Sequence, residues 1–118
     1  MVVGAQFEVE VESLDEGVVV VRVSGEIDMS TTPGLIDRVR PLAESGPRGM
    51  VVDLSGVGFM GAAGLHVLER LQSTLRRRGG ELAVAAPGGI ALRVLEITES
   101  TETLGVVPTV EAARARLA

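Results

Sequence analysis

Gly61-Ala62-Ala63-Gly64 lies between an apolar run, Gly49-Met50-Val51-Val52-Asp53-Leu54, and a stretch with helical spacing. It therefore opens a helix shortly after a strand, across a glycine-containing turn at Ser55-Gly56-Val57-Gly58. The first turn of a helix presents unpaired N–H groups and partial positive charge, which suits a phosphate. A nucleotide phosphate is one candidate occupant, but a Walker-type phosphate loop needs a lysine and this chain contains none.

Other residues with chemical potential are few. His66 is the single histidine and there is no cysteine, so neither a thiolate site nor a histidine-rich metal cluster can be built. His66 falls off the apolar stripe of its helix and is expected at the surface, as a bystander at an interface rather than an acid or a ligand. Asp53 is expected to satisfy nearby backbone amides. Ser55 is expected to serve the turn, and Ser30, Thr31 and Thr32 to cap the first helix. Asp28, after the second strand, is either a solvated turn carboxylate or a contact for a partner. No nucleophile stands beside a base, and no catalytic activity, metal or cofactor is expected.

With 118 residues, 46% of them hydrophobic, the chain suits one domain with one core, spanning 1-118. Only Phe7 and Phe59 are aromatic, which leaves no stacking platform for bases or flavins. The net charge of −5, with basic residues scattered apart from Arg76-Arg77-Arg78, argues against nucleic acid. All eleven basic residues are arginine, which reads as the codon usage of a GC-rich genome. No apolar run approaches the roughly 18 residues of a membrane span, and Met1 to Glu8 lack a basic leader; direct membrane insertion is not expected, and a cytoplasmic location is.

Periodicity sets out the elements. Phe7 to Glu12 alternates apolar and acidic residues, a strand with one buried and one wet face whose acidic row discourages edge pairing. After Asp15-Glu16-Gly17, the β-branched run Val18 to Val23 suits a strand covered on both faces, in a hairpin with the first. Thr32-Pro33 opens a helix carrying Leu35, Ile36, Val39, Leu42 and Ala43, and Ser45-Gly46-Pro47 ends it. The second helix runs from about Gly61 to Arg78 on a stripe of Ala62, Leu65, Leu68, Leu71 and Leu75. Three arginines complement its C-terminal dipole and Gly79-Gly80 stops it. Glu81 to Ala86 is a fourth strand, and Ile90 to Ile97 a short helix. Leu104 to Val107 is a fifth strand, and Val110 to Leu117 a last helix opened by Pro108-Thr109. The order ββαβαβαβα implies an α/β fold: a mixed, mostly parallel sheet with an N-terminal hairpin and helices packed on it.

The segment from Val51 to Leu65, with Asp53-Leu54-Ser55, Val57, Phe59-Met60 and Gly64-Leu65, resembles the signature of the STAS domain, the anti-sigma factor antagonist family. Gly25-Glu26-Ile27-Asp28 is similar to that family's Gly-Glu-Leu-Asp. Pro87 and Leu92-Arg93-Val94-Leu95-Glu96-Ile97 are similar to its fourth-strand and third-helix segment. The likeness covers essentially the whole chain and implies the STAS fold. It also implies a partner, an anti-sigma factor of the serine-kinase type, whose capture frees a sigma factor for transcription. The implied contact residues are Asp28, Ser30, Phe59, Met60, Gly61, Ala62, Ala63, Gly64 and Leu65.

The chain departs from the family at one place. Gly61-Ala62-Ala63 stands where the family carries Asp-Ser-Ser, and Ala63 occupies the position of the regulatory phosphoserine. A phosphate there would add about −1.5 to −2 charge within the contact surface, and an alanine cannot accept it. The resemblance thus implies a domain that phosphorylation does not switch off, with Ser55, Ser30, Thr31 and Thr32 as remote substitute acceptors. Two alternatives stand beside it: a STAS module recruited to a transporter or a signalling scaffold, and a nucleotide-sensing domain. A homodimer is compatible with the sequence.

Overall fold

In the computed structural model, residues 7–14, 17–86 and 88–118 are described, so Pro87 and the Asp15-Glu16 part of the first turn lie outside the described residues. The elements follow the expected order: β1 (Phe7–Ser13), β2 (Val18–Ile27), α1 (Thr32–Glu44), β3 (Gly49–Met60), α2 (Ala62–Arg77), β4 (Glu81–Ala85), α3 (Gly89–Ile97), β5 (Val106–Val107) and α4 (Val110–Leu117). They build a five-stranded sheet in the order β1-β2-β3-β4-β5. β1 pairs antiparallel with β2, and every other neighbouring pair is parallel.

Because β2, β3, β4 and β5 advance across the sheet in one direction, crossovers of a single hand place their helices on a single face. The core clusters agree. Leu35 and Val39 of α1, Val67, Leu68, Leu71 and Leu75 of α2, and Ala91 and Leu95 of α3 share one core with Val21, Val23, Val52, Leu54 and Met60. On the opposite face, α4 alone covers Val18, Val20, Val51, Ala83 and Ala85 with Ala113 and Leu117. The β-branched run in β2 is thus covered on both faces, as its sequence demands. Beyond α4 that second face turns polar, where Arg22 bonds Glu12 at 2.9 Å.

Four sequence expectations are corrected. Val11 is exposed, since the apolar row of β1 is covered only near Phe7 and Val9. Ser55-Gly56-Val57-Gly58 is not a turn but part of β3. Between the pairs Arg22↔Asp53 and Ser24↔Gly56, and again between Gly25↔Val57 and Glu26↔Phe59, β3 takes in one more residue than β2. These are two bulges, and Gly56 permits the first: a Cβ on it would stand 2.8 Å from that of Ser24. The bulges stretch the inward spacing from two residues to three, so Leu54, Val57 and Met60 all reach the core while the residues between them face outward.

The third correction concerns the α2 stripe. It is rotated so that Gly64 and Val67 are buried, Leu65 is half-buried and Ala62 is exposed. Fourth, Ile97 ends α3 in solvent, and β5 shortens to Val106–Val107 after the fully buried Leu104. The end of α2 matches the sequence: Gly79 takes a φ of 82°, its N–H donates to the Arg76 carbonyl, and that of Gly80 donates to Leu75. This double bond pattern is the Schellman stop.

Candidate functional site at the paired strand ends

β2 and β3 end side by side, with Ile27 opposite Met60, and the N–H of Gly61 donates to the Ile27 carbonyl at 3.0 Å. The β2–α1 loop and the start of α2 therefore share one edge of the sheet. This brings Asp28 and Ser30 next to Gly61, Ala62 and Ala63.

The loop that leads into α1 is closed by side chains. Asp28 Oδ1 accepts from the N–H groups of Ser30 (2.9 Å) and Thr31 (3.1 Å) and from the Ser30 hydroxyl (2.7 Å). The Thr31 hydroxyl accepts from the Asp28 N–H and donates to the Glu26 carbonyl, each at 2.9 Å. These bonds favour the ionised carboxylate: the Ser30 hydroxyl, the largest influence, holds the Asp28 pKa below its ordinary value of 3.8, desolvation opposes it next, and the backbone amides of Ser30 and Thr31 and the Thr31 side chain add to the lowering. The hydroxyls expected as caps make no capping bond: Thr31 holds the N-cap place without one, and the Asp28 carboxylate binds the amides of Ser30 and Thr31 in the loop ahead of the helix. Asp53, as expected, accepts the Ser55 N–H at 3.0 Å.

The α2 start is open. Gly61 is the N-cap in extended conformation, no side chain caps the helix, and no acid stands in its first turn. Ala62 is exposed and Ala63 half-buried. The ring of Phe59 lies against Gly61, 3.7 Å from where a Cβ would project, and 46% of Phe59 is exposed. Across the edge, Met29 is 84% exposed on the β2–α1 loop. Sequence reasoning passed over Met29; the signal was there, since a large apolar side chain between Asp28 and Ser30 in a loop has no core to enter.

Two of the expected contact residues lie beneath this surface. Met60 is 1% exposed and belongs to the core. Gly64 is buried above it, and a Cβ there would stand 2.5 Å from Met60 Cγ and 3.0 Å from Ile27 Cγ2. Both seat α2 against the sheet and present nothing to a partner. Leu65 is half-buried and packs on the core, His66 is exposed as expected, and Ser55 is exposed at the bulge. Among the described residues no group of His, Asp and Glu side chains could hold a metal ion, and no helix is long and apolar enough to cross a membrane.

Residues 9–113 match the model of the STAS domain. The chain belongs to the STAS domain family. It is similar to the anti-sigma-F factor antagonist RsfB of Mycobacterium tuberculosis, 28% identical over 93 residues that span 79% of this chain and 75% of that protein. It is also similar to an anti-sigma-B factor antagonist of Staphylococcus aureus, 31% identical over 78 residues, 66% of this chain and 72% of the other. Among solved structures, an anti-sigma factor antagonist from Mycobacterium paratuberculosis superposes with a TM-score of 0.88 at 33% identity, covering 99% of this chain and 98% of that one. The STAS fold accounts for the shared edge, since its parallel strands bring each strand-to-helix junction to the same end of the sheet.

Proposed function

We propose that this STAS domain is an anti-sigma factor antagonist, a non-catalytic domain that binds an anti-sigma factor of the serine-kinase type and so releases a sigma factor. The bare α2 start framed by exposed Met29 and Phe59 carries the reading. Large apolar side chains grouped in solvent beside an open helix end are suited to a partner surface, and buried apolar anchors dominate the energy of protein interfaces. The relatives named as antagonists point to the same partner class.

Ala63 makes the domain constitutive, because the first turn of α2 holds no hydroxyl to receive phosphate. The Ser30 hydroxyl is engaged with Asp28, and Ser55 lies at the bulge rather than on the helix. Binding is then governed by abundance rather than by a covalent switch.

The test uses purified serine-kinase-type anti-sigma factors from the source genome with ATP. One of them forms a stable complex with the chain and transfers no phosphate to it, and Phe59→Ala weakens that complex about 30-fold or more. Ala63→Ser restores phosphate transfer and phosphate-dependent release. The absence of a complex with every such factor overturns the proposal, and phosphate on Ser30 or Ser55 of the unaltered chain overturns its constitutive part.

A further inference from the structure

A groove runs between α1 and α2 away from the site. Two adjoining concavities of about 420 and 290 Å³ share Ile36, Arg40 and Arg70, and Ala63 lines the mouth of the larger one. The groove is therefore continuous with the bare helix start. Its floor is apolar, with Ile36, Val67 and Leu71. Its two walls differ in charge. Both acids, Asp37 and Glu44, stand on α1, where Glu44 lies 3.7 Å from Arg40. The cations on the α2 wall lack acidic partners: Arg77 reaches only the hydroxyls of Ser73 and Thr74, and Arg70 has no hydrogen bond or ion pair among the described residues.

From this arrangement we infer that the α1–α2 groove receives an amphipathic acidic segment of the anti-sigma factor, its apolar side on Ile36 and Val67 and its carboxylates on Arg70 and Arg77. The inference rests on the partner class proposed above and adds a second contact region that sets selectivity among such partners. A polyanion fits less well: Asp37 and Glu44 line the opposite wall, and the chain as a whole carries a charge of −5. A single acidic row can face α2 while turning away from α1, which fixes the orientation of the segment as well as its sign. Charges of this kind act chiefly on association rate and on discrimination between partners.

Three variants of the full chain test it, each checked for an unchanged thermal melt: Arg70→Ala, the double variant Arg70→Glu with Arg77→Glu, and Arg114→Glu on α4 as a control of equal sign on the far face. Association with the purified anti-sigma factor is followed at low and at high salt. The double variant slows association about tenfold at low salt and flattens the salt dependence. Arg70→Ala falls between it and the unaltered chain, and Arg114→Glu stays within about twofold of the unaltered chain. If the double variant behaves like Arg114→Glu while the complex still forms, the groove inference falls and the antagonist reading stands. If the unaltered chain forms no complex, both fall. Self-association of the unaltered chain that is abolished by the double variant would assign the groove to a second copy and overturn the inference.

Discussion

Two helices begin at the same edge of the sheet and are held by opposite means. At the α1 start, Asp28 satisfies two backbone amides and the Ser30 hydroxyl, and Thr31 ties the loop to Glu26. At the α2 start no side chain caps the helix, and the element is seated from below by Gly64 resting on Met60 and Ile27. A polar network in the preceding loop organises one junction and close packing the other. The difference leaves the α2 amides without a side-chain cap, and the groups that seat the helix, Met60 and Gly64, lie beneath the proposed contact surface rather than on it.

Substitutions break this contrast in graded steps. Met60→Ala removes the support under α2 and should cost about 2–5 kcal/mol in urea unfolding, the usual range for emptying a buried methionine site. Gly64→Val forces a branched side chain into the space of Met60 Cγ and should cost about 1–3 kcal/mol by overpacking. Both residues are buried, yet both changes should weaken binding by displacing the α2 start.

Asp28→Ala acts on the other junction and should lower the melting temperature less than either core change. Its signature is pH dependence. A carboxylate whose folded pKa is depressed contributes fully above its ordinary value of 3.8 and loses that contribution as pH falls through the lower folded value. The gap in melting temperature between Asp28→Ala and the unaltered chain should therefore be open at neutral pH and close in acid. The smallest effect belongs to Gly61→Asp, which gives the bare helix an acidic N-cap and should stabilise by about 0.5 kcal/mol. If Gly61→Asp instead destabilised the chain, the view of α2 as an open but unstrained helix end would be wrong.

How much of this the sequence could disclose depends on the range of the interaction. The element order and the Schellman stop at Gly79-Gly80 follow from local chemistry and were legible. So was the burial of β2 on both faces, because a continuous β-branched run suits nothing else. The bulges were not legible. Gly56 and Gly58 carry the chemistry of a turn, and only the pairing of β3 with β2 turns those glycines into a strand with extra residues. The α1 start was misread for a related reason: Ser30, Thr31 and Thr32 all satisfy the local capping rule, whereas the loop folds back on Asp28, whose carbonyl takes the N–H groups of Thr31 and Thr32 and whose carboxylate engages Ser30 and Thr31 before the helix begins.

At the site, the neighbourhood of Asp28 and Gly61 followed from parallel pairing alone. Which members of the Phe59-to-Leu65 run face outward did not. The two bulges set that phase, and with it the exposure of Phe59 and the burial of Met60. A reading in strict alternation cannot find Met60 in the core together with both Leu54 and Val57.

The neighbours of β3 change along its length. From Gly49 to Asp53 it lies between β2 and β4, whereas from Gly56 to Met60 its ladder is with β2 alone. Its tip should therefore open locally at a free energy below that of global unfolding. Amide deuterium uptake should be fast at Gly58 to Gly61 and slow at Met50 to Val52, and a bound partner should erase that contrast. The proposed docking edge is thus held less firmly than the centre of the sheet, so that part of what a partner supplies on binding is the completion of the fold.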